Sequence, residues 1–230
     1  VKRTLAISDI HGELKKFEQL LEKVNYNSSV DQLILLGDYV DRGEDSSGVV
    51  EKVIQLKENG AVVLKGNHDD MLVRAMNGDK KVWDNWTIRN GGQSTLKSYQ
   101  YSLSIEQGEI IATVNEHTKS ELMEEHKTFL ENLDYFYETD DYIFVHGGVH
   151  PTTPIQETDP YVLIWIREEF HNGYNGDKTV IFGHTPTNSF HDCSDVYFAD
   201  NKIIGIDGGA VFGGRLNCLE LPSKKVYFVE

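Results

Sequence analysis

Over the first third of the chain, short apolar runs alternate with stretches of helical periodicity. Thr4 to Ser8 reads as a strand, and Leu14, Phe17, Leu20, Leu21 and Val24 then recur at the spacing of one helix face. Leu33 to Leu36 predicts a second strand. Val50, Val53 and Ile54 mark a second helix, stopped by Asn59-Gly60, and Ala61 to Leu64 predicts a third strand. Strand–helix–strand order implies right-handed βαβ units and a parallel sheet. From about residue 70 to 140 the section reads as mainly helical, with a clear helix over Ser120 to Leu133, and it is long enough to cap a site. Strands return at Tyr142 to Val145 and Thr179 to Phe182. A β-meander is expected after that: Val196 to Ala199, Ile203 to Ile206, Leu216 to Leu221 and Val226 to Val229, with turns at Asp200-Asn201 and Pro222-Ser223. The expectation is a single α/β domain over residues 1–230, with two central mixed sheets, flanking helices and a helical cap.

Five of the apolar runs end in a polar cluster. They are AISDIHG (6–12), ILLGDYVDRG (34–43), VVLKGNHD (62–69), IFVHGG (143–148) and VIFGH (180–184). Ligands of open α/β sheets bind beyond the carboxyl ends of the strands, so these clusters can meet in space. Carboxylate, imidazole and amide oxygen together suit a pair of borderline-to-hard divalent ions. Asp9 and His11, two apart at a strand end, can share one ion. Asp38 can bridge with its two oxygens, and Asn67, His146 and His184 can complete a second ion. Two ions roughly 3.5–4 Å apart can clamp the attacking and leaving oxygens of an in-line displacement. With the guanidinium of Arg42 beside them, they would form a positive, phosphate-binding cleft in an acidic protein.

Composition narrows the partners. The 230 residues carry a net charge of −15, and 39% are hydrophobic. A chain this long buries a core without disulfides. The charge argues against a general nucleic-acid or membrane-surface binder, both of which need a basic footprint. Cys193 and Cys218 are too few for a disulfide framework and are expected to be reduced thiols of a cytoplasmic protein. The opening VKRTLAISDIHG has too short an apolar run for a signal peptide, and no stretch reaches the length of a membrane span. Oligomeric state is not legible.

The five clusters resemble, in order, the D-x-H, G-D-x-x-D-R-G, G-N-H-[ED], H-G-G and G-H signatures of the bacterial phosphoprotein-phosphatase (PPP) branch of metallophosphoesterases. They stand as Asp9-Ile10-His11, Gly37 to Gly43, Gly66 to Asp69, His146-Gly147-Gly148 and Gly183-His184. The tail IDGGAVFGGRLNCLEL (206–221) is similar to that family's last core segment. The resemblance implies a calcineurin-like metallophosphoesterase fold and direct attack of metal-activated water on phosphorus. It implies that Asp9, His11 and Asp38 bind one ion, and that Asp38, Asn67, His146 and His184 bind the other. Arg42 and Arg167 (in WIREEF) would hold phosphate oxygens, and His68 would be the general acid, oriented by Asp41. The metals implied are two Mn²⁺, with Fe or Zn as alternatives. Thr185-Pro186 follows Gly183-His184 where nuclease-type relatives carry a further ligating His, and Asp69 stands where the eukaryotic protein phosphatases have Glu.

Two substrates follow from this resemblance. Phosphoserine or phosphothreonine on proteins ranks first, with dinucleoside polyphosphates such as diadenosine tetraphosphate as the alternative. Symmetrical tetraphosphate hydrolases tend to read Gly-Asp-x-[HQ]-Gly-Cys at the first motif, whereas this chain has Ser8-Asp9-Ile10-His11-Gly12-Glu13. Trp83, Trp86 and Tyr99 are read as the cap's own core, with base stacking as the other possibility. His117, His126, His171 and His191 are read as surface groups, and His150 is given no role.

Overall fold

A strand that is apolar on both faces has to be covered on both sides. In the computed structural model, which describes residues 3–114 and 117–230 apart from the side chains at 117–119, strand β1 (Arg3–Ile7) meets this condition. Leu5 and Ile7 enter one apolar cluster, and Ala6 enters another. Helix α1 (Leu14–Lys23) then buries Phe17, Leu20 and Leu21, as its periodicity requires. Strand β2 (Asp31–Leu35) repeats the alternation: Leu33 and Leu35 go to the first cluster and Ile34 to the second. Helix α2 (Ser46–Glu58) starts where the Asp45 carboxylate accepts the Gly48 N–H, and strand β3 (Val62–Val63) completes a parallel β1–β2–β3 unit.

The middle of the chain forms helices α3 (Asn67–Met76), α4 (Lys80–Arg89) and α5 (Gly92–Ser98), a ribbon of β4 (Ser102–Glu106) and β5 (Glu109–Thr113), and helix α6 (His117–Glu131). The ribbon is a departure from the mainly helical expectation. β4 is mostly exposed and alternates polar and apolar residues, whereas β5 is half-buried at its centre and does not alternate. Trp86, Leu96, Tyr99, Met123 and Leu130 join the cluster of Leu5 and Leu33, so this section layers against the outer face of the first sheet.

The second half supplies β6 (Phe136–Glu138), β7 (Tyr142–Val145), α7 (Pro160–Trp165), α8 (Glu168–Gly173), β8 (Thr179–Phe182), β9 (Tyr197–Phe198), β10 (Ile203–Gly205), β11 (Leu216–Leu221) and β12 (Lys225–Val229). The last four strands do not form one meander. β10 pairs with β8 and β9 in a sheet of order β6-β7-β8-β10-β9, while β11 and β12 cross to the first sheet, of order β12-β11-β1-β2-β3. Both sheets are mixed: β1–β2–β3 and β7–β8–β10 are parallel within them, and the outer strands run antiparallel. Between the sheets lie Ala6, Ile34, Phe144, Ile181, Ile204 and Leu219. Helices α7 and α8 cover the far face of the second sheet through Leu163 and Phe170. No helix among the described residues is long and apolar enough to cross a membrane.

Three of these histidines differ from the surface reading. His126 is buried, and its ring meets the Tyr99 hydroxyl at 2.7 Å through Nδ1. It falls in helical register with Met123 and Leu130 on the covered face of α6. His171 is half-buried among Phe170, Phe182 and Phe190. His191 is also half-buried, and the side chain of His117 lies outside the described ones. Cys193 and Cys218 are both free thiols, one exposed and one buried.

Candidate active site

Six parallel strands, three in each sheet, end at one edge. β1 leads to Asp9 and His11, β2 to Asp38, Asp41 and Arg42, and β3 to Asn67 and His68. In the other sheet β7 leads to His146, β8 to His184 and β10 to Asp207. Eight of the ten residues singled out from the sequence line a cleft of about 250 Å³: Asp9, His11, Asp38, Arg42, Asn67, His68, Arg167 and His184. The other two, Asp41 and His146, lie fully buried behind them.

The backbone marks the same place. Asp9, His11, Asp38, Asp41, Arg42 and His184 all have positive φ, between 45° and 75°. This left-handed conformation costs a non-glycine residue about 1–3 kcal/mol, and it persists only where the surroundings impose it. Here neighbouring loops do so. The His11 N–H donates to the Asp38 carbonyl at 2.9 Å, and the Gly43 N–H donates to the His11 carbonyl at 3.0 Å. A Cβ at Gly66 would sit 2.1 Å from Asp38 Oδ1, so only glycine lets the third loop approach this carboxylate. Asp69 ties the loops together: its carboxylate accepts the N–H groups of Asp38 (2.8 Å), Tyr39 (3.0 Å) and Gly66 (2.9 Å). Its burial, followed by the charge of Asp38, lifts it to about 7.

Asp38 is central. Its Oδ2 lies 3.5 Å from Nε2 of His11, and its Oδ1 lies 3.4 Å from Nε2 of His146. Each carboxylate oxygen thus faces a different imidazole, which is the geometry a bridging ligand needs. Two groups have ligand atoms within 4.8 Å of one another, His11–Asp38–His68 and Asp38–His146–His184, and they share Asp38. Asp9 stands at the edge of the first group, with Oδ1 3.9 Å from His11 Nε2 and Oδ2 accepting the His184 N–H at 3.0 Å.

The donor set fits divalent cations. His11 donates Nδ1–H to the Val40 carbonyl at 2.7 Å, and His146 donates Nδ1–H to the Leu36 carbonyl at 2.9 Å. These bonds turn each Nε2 toward the cluster as a ligand atom, where Arg42 now donates to that of His11. The lone pair of His146 then faces Asn67 Oδ1 at 3.0 Å and Asp38 Oδ1, so the contact is repulsive without a positive charge between them. His184 Nε2 is buried with no hydrogen-bond partner. Electrostatics points the same way. Burial, together with the charges of their acidic neighbours, raises Asp9 and Asp207. Burial holds His11 down to about 3, a neutral ring. Burial opposes charge on His146, but Asp38, Asp9 and Asp69 together outweigh it and lift the ring to about 9. A protonated His146 thus supplies part of the charge that a metal would bring.

Beside this cluster stands a histidine–carboxylate pair. His68 Nδ1 is 2.6 Å from Asp41 Oδ2, which leaves Nε2 as the free ring nitrogen of a cleft residue. The middle section of the chain holds Asp41 from behind. Trp86 Nε1–H reaches both carboxylate oxygens at 2.8 Å, and the Thr95 hydroxyl reaches Oδ1 at 2.7 Å. Trp86 is fully buried, so the core reading of this residue holds and base stacking on it is ruled out. Trp86→Phe keeps an aromatic side chain, removes the donor and leaves part of the buried indole volume empty. It is expected to lower unfolding free energy by at least about 1.5–3 kcal/mol, the worth of a hydrogen bond to a charged group with the cavity adding to it, and to slow turnover by about tenfold. Urea denaturation and steady-state kinetics check the two effects.

Arg42 donates to His11 Nε2 at 2.7 Å, and Arg167 donates to the Thr185 hydroxyl at 2.8 Å. Both guanidiniums reach the cleft, ready to bind phosphoryl oxygens. The sequence reading missed Asp207, which is buried in the cleft wall. The signal was present, because Asp207 follows the apolar run Ile203 to Ile206 as Asp9 and Asp38 follow theirs. His150 lies outside the cleft.

Comparison with known proteins agrees with this geometry. The calcineurin-like phosphoesterase family profile matches residues 2–213. The asymmetrical bis(5'-nucleosyl)-tetraphosphatase PrpE of Oceanobacillus iheyensis is 30% identical over 95% of this chain and 88% of its own length. Among solved structures, one provisionally designated a diadenosine tetraphosphatase superposes with a TM-score of 0.68 at 23% identity, covering 99% of this chain and 93% of its own. A protein serine/threonine phosphatase from Saccharomyces cerevisiae gives 0.63 at 13% identity, over 100% of this chain and 80% of its own. At such identities these two structures speak for the fold alone.

Proposed function

The chain belongs to the calcineurin-like phosphoesterase family, and from that premise we propose that it hydrolyses dinucleoside tetraphosphates asymmetrically, releasing a nucleoside triphosphate and a nucleoside monophosphate. One observation carries the reaction class: two imidazole–carboxylate groups share Asp38 in a cleft that also holds Arg42 and Arg167. The substrate rests on the tetraphosphatase relative, which is similar along nearly the whole chain. This reverses the order in which the sequence ranked the two substrates. The first-motif comparison behind that ranking concerned symmetrical hydrolases, so it carried no weight against an asymmetrical one.

A pair of divalent ions, when bound, supplies an activated water and draws charge from the phosphoryl oxygens. Asp9, His11 and Asp38 would hold one, and Asp38, Asn67, His146 and His184 the other. Arg42 and Arg167 orient the reacting phosphoryl group. Water adds its oxygen to phosphorus and loses a proton to solvent as the bond to the leaving phosphate oxygen breaks, and His68 Nε2 gives that leaving oxygen a proton that solvent later restores. Asp41 keeps Nδ1 of His68 engaged and steadies the ring.

The competing reading is a protein phosphatase acting on phosphoserine or phosphothreonine. Turnover of diadenosine tetraphosphate and of a phosphothreonine peptide, measured side by side with Mn²⁺, separates them. The proposal expects ATP and AMP in equal amounts and a kcat/KM for the dinucleotide at least about a hundredfold above that for the peptide. The reverse ratio would make this a protein phosphatase, and two ADP would make the cut symmetrical.

A further inference from the structure

Seven large apolar side chains are strongly exposed among the described residues, and of these Phe212 alone lines the cleft. Single exposed apolar residues are ordinary on a surface. This one is presented by a braced turn. Ala210–Phe212 forms one turn of 3-10 helix between Gly209 and Gly213, both at positive φ (68° and 82°). The Phe212 N–H donates to the Gly209 carbonyl at 2.9 Å, and Lys16 Nζ donates to the Ala210 carbonyl at 2.8 Å. Phe212 is 66% exposed, yet its backbone is held. The Arg42 guanidinium stands 5.1 Å from the ring centroid. A flat π-surface and a phosphate-binding cation therefore lie side by side at the cleft mouth.

We propose that Phe212 is the platform on which one nucleobase of the substrate stacks, the base belonging to the monophosphate half, while Arg42 holds the adjoining phosphate. The inference rests on the tetraphosphatase reading and deepens it. In an asymmetrical cut the released monophosphate carries its base one ribose away from the phosphate next to the scissile bond. A base so close to the reaction needs a platform beside the phosphate-binding arginine, and Phe212 is there. In a symmetrical cut each base is one phosphate further from the scissile bond. Stacking suits any base, because each has a π-face, so this site selects for a nucleoside over a bare polyphosphate and does not choose among nucleosides.

The test compares wild type, Phe212→Ala and Phe212→Trp on diadenosine tetraphosphate and on inorganic tripolyphosphate, with melting temperatures as a check on folding. Base–aromatic stacking predicts that F212A lowers the ratio of the two kcat/KM values about tenfold or more, through KM for the dinucleotide, and that F212W restores it. Inhibition by the product AMP should weaken in F212A by a similar factor. An unchanged ratio in F212A, while wild type still releases ATP and AMP, would overturn the platform and leave the tetraphosphatase reading standing. Wild type inert on the dinucleotide would overturn both. A loss in F212A that falls equally on a phosphothreonine peptide would make the ring a general apolar contact and overturn the nucleobase assignment.

Discussion

Asp38→Asn is expected to lower turnover by more than about 10³-fold, because metal-based stabilisation of phosphoryl charge is worth several kcal/mol and each 1.36 kcal/mol is tenfold. The reason is positional. Asp38 Oδ1 and Oδ2 face His146 and His11 respectively, so the substitution removes one anionic oxygen from each cation position at once. The backbone role of Asp38 survives, since an amide oxygen can still accept the His68 N–H that Oδ1 now receives at 2.9 Å. Far-UV circular dichroism should therefore match wild type while Mn²⁺ content falls at both positions. An Asp9→Asn variant makes the contrast. Asp9 approaches an imidazole nitrogen of the first group only, while its other oxygen takes the His184 backbone N–H, so the loss should fall mainly on one ion. Equal loss of both ions in the two variants would contradict the bridging role of Asp38.

His68→Asn should lower turnover by about 10²–10⁴-fold on alkyl phosphate esters, the usual worth of a positioned general acid, with metal content retained. On a dinucleoside tetraphosphate the loss should be smaller, about 10–10²-fold, because a leaving phosphate is a far weaker base than an alkoxide and needs less protonation. Across a series of aryl phosphates the deficit of His68→Asn should grow with the basicity of the leaving group. A deficit independent of the leaving group would remove His68 as the acid. The pairing with Asp41 at 2.6 Å, and Trp86 and Thr95 behind it, predicts that Asp41→Asn follows the same trend with a smaller slope.

Most of this site was legible because it is written at strand ends. Apolar runs that stop in Gly, Asp and His cannot continue a sheet, and the parallel order of β1, β2, β3, β7 and β8 sends their polar ends to one edge. Asp207 repeats that signal in a weaker form. A single carboxylate between Ile206 and two glycines reads as a turn until β10 is seen to lie parallel to β8. The roles of Asp69 and Trp86 could not be read from spacing. One clamps three backbone N–H groups contributed by two loops, and the other reaches across 45 positions to Asp41. Long-range hydrogen bonds of this kind leave no periodicity. The β4–β5 ribbon was only half legible: β4 alternates as Ser-Leu-Ser-Ile-Glu, but β5 reads Glu-Ile-Ile-Ala-Thr, and runs this short are weak signals. The split of the last four strands between two sheets was likewise hidden, since β9–β10 and β11–β12 carry the same local pattern whichever sheet they join.

The most direct test is metal content against turnover in chelator-treated protein titrated with Mn²⁺, using diadenosine tetraphosphate as substrate. Two ions should bind per chain, with turnover absent in the stripped protein and rising as the second position fills. Undiminished turnover without metal, or full turnover at one ion per chain, would contradict a cleft built around a shared Asp38.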